Sequence, residues 1–181
     1  KSQLPWAGRS AYNIGQILYR IAENLESRKL EFIALVENEE GLKEKEAKKL
    51  IEESIDRLIY FAGWSDKYQQ IFSNVNPVAS SHFNFSMQEA MGVVSAMASE
   101  STSFLDFVSA IAAVICGGNS IIILAKERAP LSAISFAEVL QHSDLPAGVI
   151  NILSGKINEL EEHFASHMDV NALLLLGEGF E

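Results

Sequence analysis

The chain has 181 residues, 48% of them hydrophobic and 21% charged, which is typical of a globular domain and not of a disordered chain. Its formal net charge of −10 argues against nucleic acid or an anionic membrane as a partner, because no basic stripe is present to neutralise phosphates. The single cysteine, Cys116, excludes an internal disulfide and fits a reducing, cytoplasmic setting, which is the expected location.

The first third of the chain, residues 1–75, is predicted to be helical. Ser10 can cap a first helix, whose apolar residues recur at helical spacing: Ile14, Leu18, Ile21 and Leu25. Ser27 is a candidate cap for a second helix, which ends near Gly41. A third, longer helix is predicted from about Glu44 to Phe72, because its apolar positions keep the same spacing.

An arm or hairpin is predicted at residues 76–90. The stretch from Asn74 to Pro77 breaks the helical pattern, and the alternation of Phe83 and Phe85 indicates a strand. We expect the aromatic residues of this region to form a core between the long helix and the arm: Trp64, Tyr68, Phe72, Phe83 and Phe85.

Residues 91–181 alternate between strands and helices. The predicted strands are 92–98, 120–124, 149–153 and 172–176, and the predicted helices between them are 104–115, 130–141 and 157–167. Strands separated by helices of this length imply βαβ units and a parallel sheet. The apolar runs at 121–124 and 173–176 predict strands covered on both faces. The fold class is therefore α/β, with a helical amino-terminal third packed on a mainly parallel, Rossmann-like sheet.

Several segments, in order and at matching spacing, resemble the aldehyde dehydrogenase family. They are Trp6 with Arg9, residues 17–25, Tyr60-Phe61-Ala62-Gly63-Trp64-Ser65-Asp66-Lys67-Tyr68, Met91-Gly92-Val93-Val94, Gly117-Gly118-Asn119-Ser120 and Asp144-Leu145-Pro146-Ala147-Gly148-Val149-Ile150-Asn151-Ile152-Leu153-Ser154-Gly155. Together they cover nearly the whole chain and are similar to the amino-terminal part of the family's coenzyme-binding domain. The first and the long helix resemble most the second, non-catalytic domain of the two-domain family 16 enzymes. The resemblance implies a single, partial domain over 1–181 and NAD(P) as the family's cofactor.

The resemblance also identifies positions where this chain departs from the family. An asparagine that donates a hydrogen bond to the substrate oxyanion is replaced by Ser101, whose hydroxyl is too short to reach the same point. The neighbouring Glu100 would disfavour a developing negative charge. The family's glutamate base and nucleophilic cysteine fall after Glu181, so the resemblance assigns no catalytic residue to this chain.

The coenzyme positions are changed as well. A family lysine that holds the adenosine ribose aligns with Leu124, and the nearby Lys126 is expected to point elsewhere. Glu127 matches the acidic residue that also contacts the ribose, so one of the two ribose contacts is retained.

The turn after the last strand retains Gly177 and Gly179 of the family's pyrophosphate turn, which makes these glycines and Glu127 the cofactor-binding candidates. Glu178 places a carboxylate where a phosphate would lie and should repel it. Glu100, Glu127 and Glu178 are expected to gather at the carboxyl edge of the sheet. They could favour a cationic partner, but loss of a phosphate-binding requirement is the favoured interpretation.

Other reactive residues favour structural roles. Cys116 is predicted at the carboxyl end of a helix, the wrong end of the dipole for lowering a thiol pKa, so a buried structural cysteine is favoured. His163 and His167 are four residues apart, one turn after Glu159, a spacing that can hold a divalent metal. Without a third ligand in view, a polar helix face is favoured and no metal is expected.

Partners are expected to be proteins. The most apolar window, 104–124, is interrupted by Asp106 and a glycine pair. Neither piece therefore reaches the roughly 20 apolar residues that a membrane-spanning helix needs. A sheet that ends at 172–176 would expose apolar area that longer family members cover, which favours association. The expected partner is a second copy of the chain or another aldehyde dehydrogenase domain.

Three functions are compatible with the sequence. The leading hypothesis is an aldehyde-dehydrogenase-like domain or fragment that lacks the catalytic residues and has a structural or assembly role. One alternative is a part of an NAD(P)-dependent aldehyde dehydrogenase whose catalytic half lies outside this chain. Another is a residual dinucleotide-binding module. Downstream sequence with a cysteine and a glutamate would favour the enzyme, and measurable dinucleotide affinity would favour the binding module.

Overall fold

A computed structural model describes residues 1–180, in which eight helices and six strands follow one another along the chain. The helices are α1 Gln3–Ala7, α2 Ala11–Ser27, α3 Lys29–Glu40, α4 Glu44–Trp64, α5 Tyr68–Phe72, α6 Phe104–Cys116, α7 Leu131–Gln141 and α8 Ile157–Ser166. The strands are β1 Asn74–Asn76, β2 Asn84–Ser86, β3 Val93–Ala98, β4 Ser120–Leu124, β5 Ile150–Leu153 and β6 Ala172–Leu176.

Four of the strands form a parallel sheet in the order β5-β4-β3-β6. Val94 of β3 lies opposite Ile121 of β4 on one side and Ala172 of β6 on the other. Each connection within this sheet passes through a helix, as parallel pairing requires. The prediction of an α/β fold with a helical amino-terminal part on a parallel sheet is confirmed.

The main core lies between the helical segment and one face of the sheet. Helices α2 and α4 pack together, and α6 lies between α4 and the sheet. Fully buried aliphatic side chains from the three helices fill this layer: Leu18, Ile21, Leu25, Ile51, Leu58, Ile111 and Ile115. The indole N–H of Trp6 donates to the Ile115 carbonyl at 3.1 Å, which fastens α1 to the end of α6. Burial of these side chains, at about 1.5–3 kcal/mol each, is the main stabilising contribution.

Of the two predicted helix caps, one is confirmed and one is wrong. Ser10 caps α2 as expected, because its hydroxyl accepts from the Asn13 amide at 3.2 Å. The prediction for Ser27 is wrong, since its hydroxyl donates backwards to the Asn24 carbonyl and α3 has no side-chain cap.

The third predicted helix is divided in two. Helix α4 ends at Trp64 and α5 begins at Tyr68, although periodicity alone predicts one helix to Phe72. The Ser65 hydroxyl donates to the Ala62 carbonyl at 2.8 Å and is buried against α2. A Cβ at Gly15 of α2 would lie 2.8 Å from the Ser65 hydroxyl oxygen, so Ser65 packs closely against α2 at the point where α4 stops.

The arm is a two-stranded antiparallel hairpin of β1 and β2, with Val75 opposite Phe85. The expectation that the aromatic residues here form a core is wrong for three of the five. Phe72, Phe83 and Phe85 are 56%, 74% and 53% exposed. A two-stranded ribbon has no second layer to cover its apolar face, which explains their exposure. Trp64 and Tyr68, nearer the helices, are half-buried.

The last strand is covered on one face only, which corrects the prediction for 173–176. Leu173 and Leu175 are 43% and 45% exposed, whereas Leu174 and Leu176 pack on the core. Strand β6 lies at the edge of the sheet and α8 packs mainly on β3, so the second face of β6 is left open. Ile121 and Ile123 of β4 are fully buried, as the same pattern predicts for an inner strand.

In residues 1–180, every helix is too short or too polar to cross a membrane.

Candidate functional site

The carboxyl ends of β3, β4 and β6 meet at one edge of the sheet, where ligands of open parallel sheets usually bind. A cleft of about 570 Å³ opens there against α8. Its floor is apolar and includes Met97 and Leu175, and its rim is polar and mostly acidic. Two of the three cofactor candidates, Glu127 and Gly179, line the cleft.

Ser101 is engaged with the turn that follows β6. Its hydroxyl oxygen accepts a hydrogen bond from the Glu178 amide at 2.9 Å and lies 2.9 Å from the Ser99 hydroxyl oxygen. The Thr102 hydroxyl donates to the Leu176 carbonyl at 2.7 Å. These three hydroxyl groups, at residues 99, 101 and 102, form what we name the hydroxyl clasp. It joins the end of β3 to the end of β6, so the Ser101 oxygen already has a protein donor.

The glycines of the turn have conformations that other residues rarely adopt. Gly177 has φ of 86° and Gly179 has φ of 94°. A Cβ on Gly177 would lie 2.3 Å from the Ser99 hydroxyl oxygen and 2.6 Å from that of Ser101. Gly177 is therefore required both for its backbone angle and for the close approach of the hydroxyl clasp. Within residues 1–180, nothing lies within 4 Å of a Cβ at Gly179.

Leu124 and Lys126 diverge because β4 ends at Leu124, so the alternation that would keep residues two apart on one face does not continue to Lys126. Leu124 is fully buried and packs with Met97 and Phe164 on the α8 side of the sheet. Lys126 lies on the opposite side, where its Nζ is 3.4 Å from Glu40 Oε1. The ammonium group is thus neutralised within the protein and does not face the cleft lining.

The carboxylates gather only in part as expected. Glu100 and Glu127 line the cleft, and a Glu100 oxygen accepts from the Arg128 amide at 3.1 Å. Glu178 is exposed and is not part of the cleft lining. The turn after β6 directs its amide, and not its carboxylate, towards the clasp.

Two further carboxylates, Glu161 and Glu162 of α8, line the same cleft and were missed from the sequence. They share one helix face with Ile157, Asn158 and Ala165, which also line it. The sequence does contain a signal for this face, because Ile157, Glu161 and Ala165 follow one another at a spacing of four residues. With four carboxylates and one guanidinium, from Arg128, the cleft lining is strongly acidic.

Cys116 has the environment of a structural thiol. It is 5% exposed, and its sulfur donates to the Phe61 carbonyl at 3.3 Å. Burial raises the pKa of the thiol to about 11, so the thiolate is scarce at neutral pH.

His163 and His167 lie on and just after α8, away from this cleft, and both are exposed. The His167 Nδ1 accepts from the Asp169 amide at 3.2 Å. Across residues 1–180, no group of three or more histidine, cysteine, aspartate or glutamate side chains is arranged to hold a metal ion.

Comparison with known proteins places this geometry in a family. The sequence profile described as "Aldehyde dehydrogenase family" matches residues 1–179. Omega-crystallin of Enteroctopus dofleini is 29% identical over 178 residues, which are 98% of this chain and 35% of that protein. Cytosolic aldehyde dehydrogenase 1 of Elephantulus edwardii is 28% identical over 174 residues, 96% of this chain and 34% of that protein. The chain spans about a third of the length of these relatives.

Solved structures share the fold at lower identity. The NAD⁺ complex of an aldehyde dehydrogenase from Bacillus cereus has a TM-score of 0.89 at 23% identity, covering 96% of this chain and 35% of that one. An NAD-dependent benzaldehyde dehydrogenase from Corynebacterium glutamicum has a TM-score of 0.86 at 22% identity, covering 98% of this chain and 38% of that one. From the profile match over nearly every residue, the chain belongs to the aldehyde dehydrogenase family.

Proposed function

We propose that this chain is an aldehyde dehydrogenase domain, or part of one, that has lost coenzyme binding and has a structural or assembly role. The burial of Leu124 carries this proposal. Its side chain fills the position that the family resemblance gives to a ribose-binding lysine, and it packs on Met97 and Phe164. Restoring a lysine here would bury a charge among apolar side chains, which is strongly unfavourable. The residues present do not fit a dinucleotide held in the family's manner.

The charges of the cleft support the same conclusion. Glu100, Glu127, Glu161 and Glu162 line it, so a pyrophosphate in the cleft would meet several carboxylates. Each like-charge pair at 4 Å costs about 1 kcal/mol in water and more where water is excluded. Glu127 alone matches a ribose contact, and it is one carboxylate among four. Electrostatic repulsion therefore opposes the ligand that the family turn would accept.

One backbone donor of the turn after β6 is already satisfied. The Glu178 amide, in the turn where a phosphate would lie by resemblance, donates to the Ser101 hydroxyl. A phosphate would have to displace this bond and bring its own charge close to the Glu178 carboxylate. The hydroxyl clasp thus replaces an external anion with a neutral acceptor of the protein.

Among residues 1–180, Cys116 is the single thiol, and it is not suited to be the nucleophile of aldehyde oxidation. Covalent catalysis of this kind needs an activated thiolate, and burial keeps Cys116 protonated. Ser101 stands at the position of the family's oxyanion donor, and its hydroxyl is held in the clasp between the Glu178 amide and the Ser99 hydroxyl. We infer that residues 1–180 alone do not oxidise an aldehyde.

The hairpin supports an assembly role. Val75 and Phe85 share one face of it and are 69% and 53% exposed, with Phe83 beside Phe85 at a ring distance of 5.4 Å. The other face carries polar side chains, among which the Asn76 amide donates to Ser86 and Asn84. An amphipathic ribbon with a bare apolar face favours association with a second copy or another aldehyde dehydrogenase domain.

Sedimentation velocity of the chain tests the assembly role. We expect concentration-dependent self-association that is weakened in a Phe83→Ser, Phe85→Ser double variant. Met168→Ser is the matched control, because Met168 is 92% exposed but lies outside the hairpin. A monomer at all concentrations, or equal effects of the hairpin and control variants, would count against association through the hairpin.

A second candidate is part of an NAD(P)-dependent aldehyde dehydrogenase whose catalytic half lies outside the 181 residues. The observation that favours it is the coverage, since the chain spans about a third of relatives whose names include aldehyde dehydrogenases. That candidate requires a cysteine and a glutamate at family spacing in a longer chain and measurable NAD affinity in the assembled protein.

A further inference from the structure

The last carboxylate of α3 reaches the carboxyl edge of the sheet. Glu40 Oε1 accepts a hydrogen bond from the Phe104 amide at the start of α6, at 2.8 Å, and lies 3.4 Å from Lys126 Nζ. The side chains of Glu40 and Lys126 are 12% and 11% exposed, so little solvent screens their interaction. Glu40 therefore joins α6 to the first residues of the loop between β4 and α7.

The preceding carboxylate of α3 caps α7. Pro130 occupies the N-cap position of that helix, and no side-chain cap comes from within it. Glu39 supplies one from α3: its two carboxylate oxygens accept from the Leu131 amide at 2.5 Å and the Ser132 amide at 3.1 Å. A carboxylate at this place satisfies two free amides and is stabilised by the positive end of the helix dipole.

Residues 125–130 form the loop that carries Glu127. Glu40 contacts Lys126 near the start of this loop, and Glu39 contacts the Leu131 and Ser132 amides just after its end. The start of α3 is also fastened to α7, through an ion pair of 2.8 Å between Arg28 and Glu138. Helix α3 thus lies along α7 and is attached to it at both of its ends. Its carboxyl end alone reaches the loop.

We propose that Glu39 and Glu40 form a strap that positions the β4–α7 loop, so that the helical segment sets where Glu127 lies in the cleft. Both glutamates are positioning residues, since they act on the loop and do not line the cleft. Release of the strap frees the loop locally while leaving the sheet intact, because β4 keeps its pairing with β3 and β5. The strap couples a change in α3 to the candidate site.

Amide hydrogen exchange of the whole chain tests the strap, read by mass spectrometry on peptides from residues 125–134 and, as a reference, from α4. In Glu39→Gln we expect exchange of the loop peptides to rise about tenfold, the effect of losing a charge-assisted hydrogen bond. Glu37→Gln is the matched control, because Glu37 lies on the same helix and takes part in neither contact. The reference peptides should exchange at the wild-type rate in both variants.

A conservative variant separates positioning from general destabilisation. Glu39→Asp keeps the charge on a shorter side chain and should restore part of the loop protection that Glu39→Gln loses. Equal acceleration in the loop and in α4, or no acceleration in the loop, would overturn the proposal. If Glu39→Gln does not fold, Glu39→Asp is compared with wild type, and unchanged exchange of the loop then overturns it.

Discussion

Replacing Gly177 by alanine tests the hydroxyl clasp, because it puts a methyl group where the clasp oxygens lie. The added Cβ would be 2.3 Å from the Ser99 oxygen, 2.6 Å from that of Ser101 and 2.9 Å from that of Thr102. Real Cβ contacts of this length do not occur, so the loop at 99–102 must move. Displacing it would break the bonds from Thr102 to Leu176 and from the Glu178 amide to Ser101.

Two costs add in this variant. A non-glycine residue at the Gly177 φ of 86° costs about 1–2 kcal/mol, and overpacking costs about 1–3 kcal/mol more. We therefore expect a loss of about 2–5 kcal/mol in the free energy of unfolding, measured by urea denaturation followed by circular dichroism.

Gly179→Ala is the matched control. Its φ of 94° is equally unfavourable for alanine, but a Cβ there meets no atom of residues 1–180 within 4 Å. Only the backbone cost of about 1–2 kcal/mol should appear. Equal losses in the two variants would refute the claim that the clasp makes Gly177 sterically essential.

Two further predictions concern ionisable groups. Because burial raises the pKa of Cys116 to about 11, its thiolate fraction near pH 8 is roughly one thousandth. A disulfide reagent should therefore label Cys116 far more slowly in the native chain than in urea. Equal labelling rates would contradict its burial. The hydrogen bond from Arg28 lowers the Glu31 pKa below its ordinary 4.5, so its stabilising effect is present above that value and lost as pH falls through the lowered pKa. The Glu31 side chain is 46% exposed, so wild type should exceed Glu31→Gln by only a few tenths of a kcal/mol at neutral pH. Thermal unfolding of both forms should converge below pH 4.5, and a difference that grows in acid would contradict this sign.

The sheet was predictable because its signals are local. The sequence of strand β4 is an apolar run because both of its faces are covered. Ser10 is followed by a helix whose apolar residues all lie on one face. Strand β6 has the same kind of sequence, yet its exposure alternates because it lies at the sheet edge. Position in the sheet, and not composition, decides whether the second face is covered.

The features that the sequence did not predict correctly depend on residues far away along the chain. The end of α4 at Trp64 coincides with the contact of Ser65 with Gly15 of another helix, and the periodicity of the sequence does not show such a contact. The cap of α7 comes from Glu39, more than ninety residues earlier in the chain. Resemblance located the positions of Ser101 and Leu124, but their partners became visible only once the strand ends were brought together.

Titration of NAD into the folded chain by calorimetry, after circular dichroism shows that it is folded, tests the loss of coenzyme binding most directly. A parallel titration uses Glu178→Ser, which removes the carboxylate from the family's pyrophosphate turn. The buried Leu124 and the acidic cleft predict no binding in either form. Binding only in Glu178→Ser would place the block in that one carboxylate and not in Leu124. Micromolar binding by the unmodified chain would contradict the account and support a working coenzyme site.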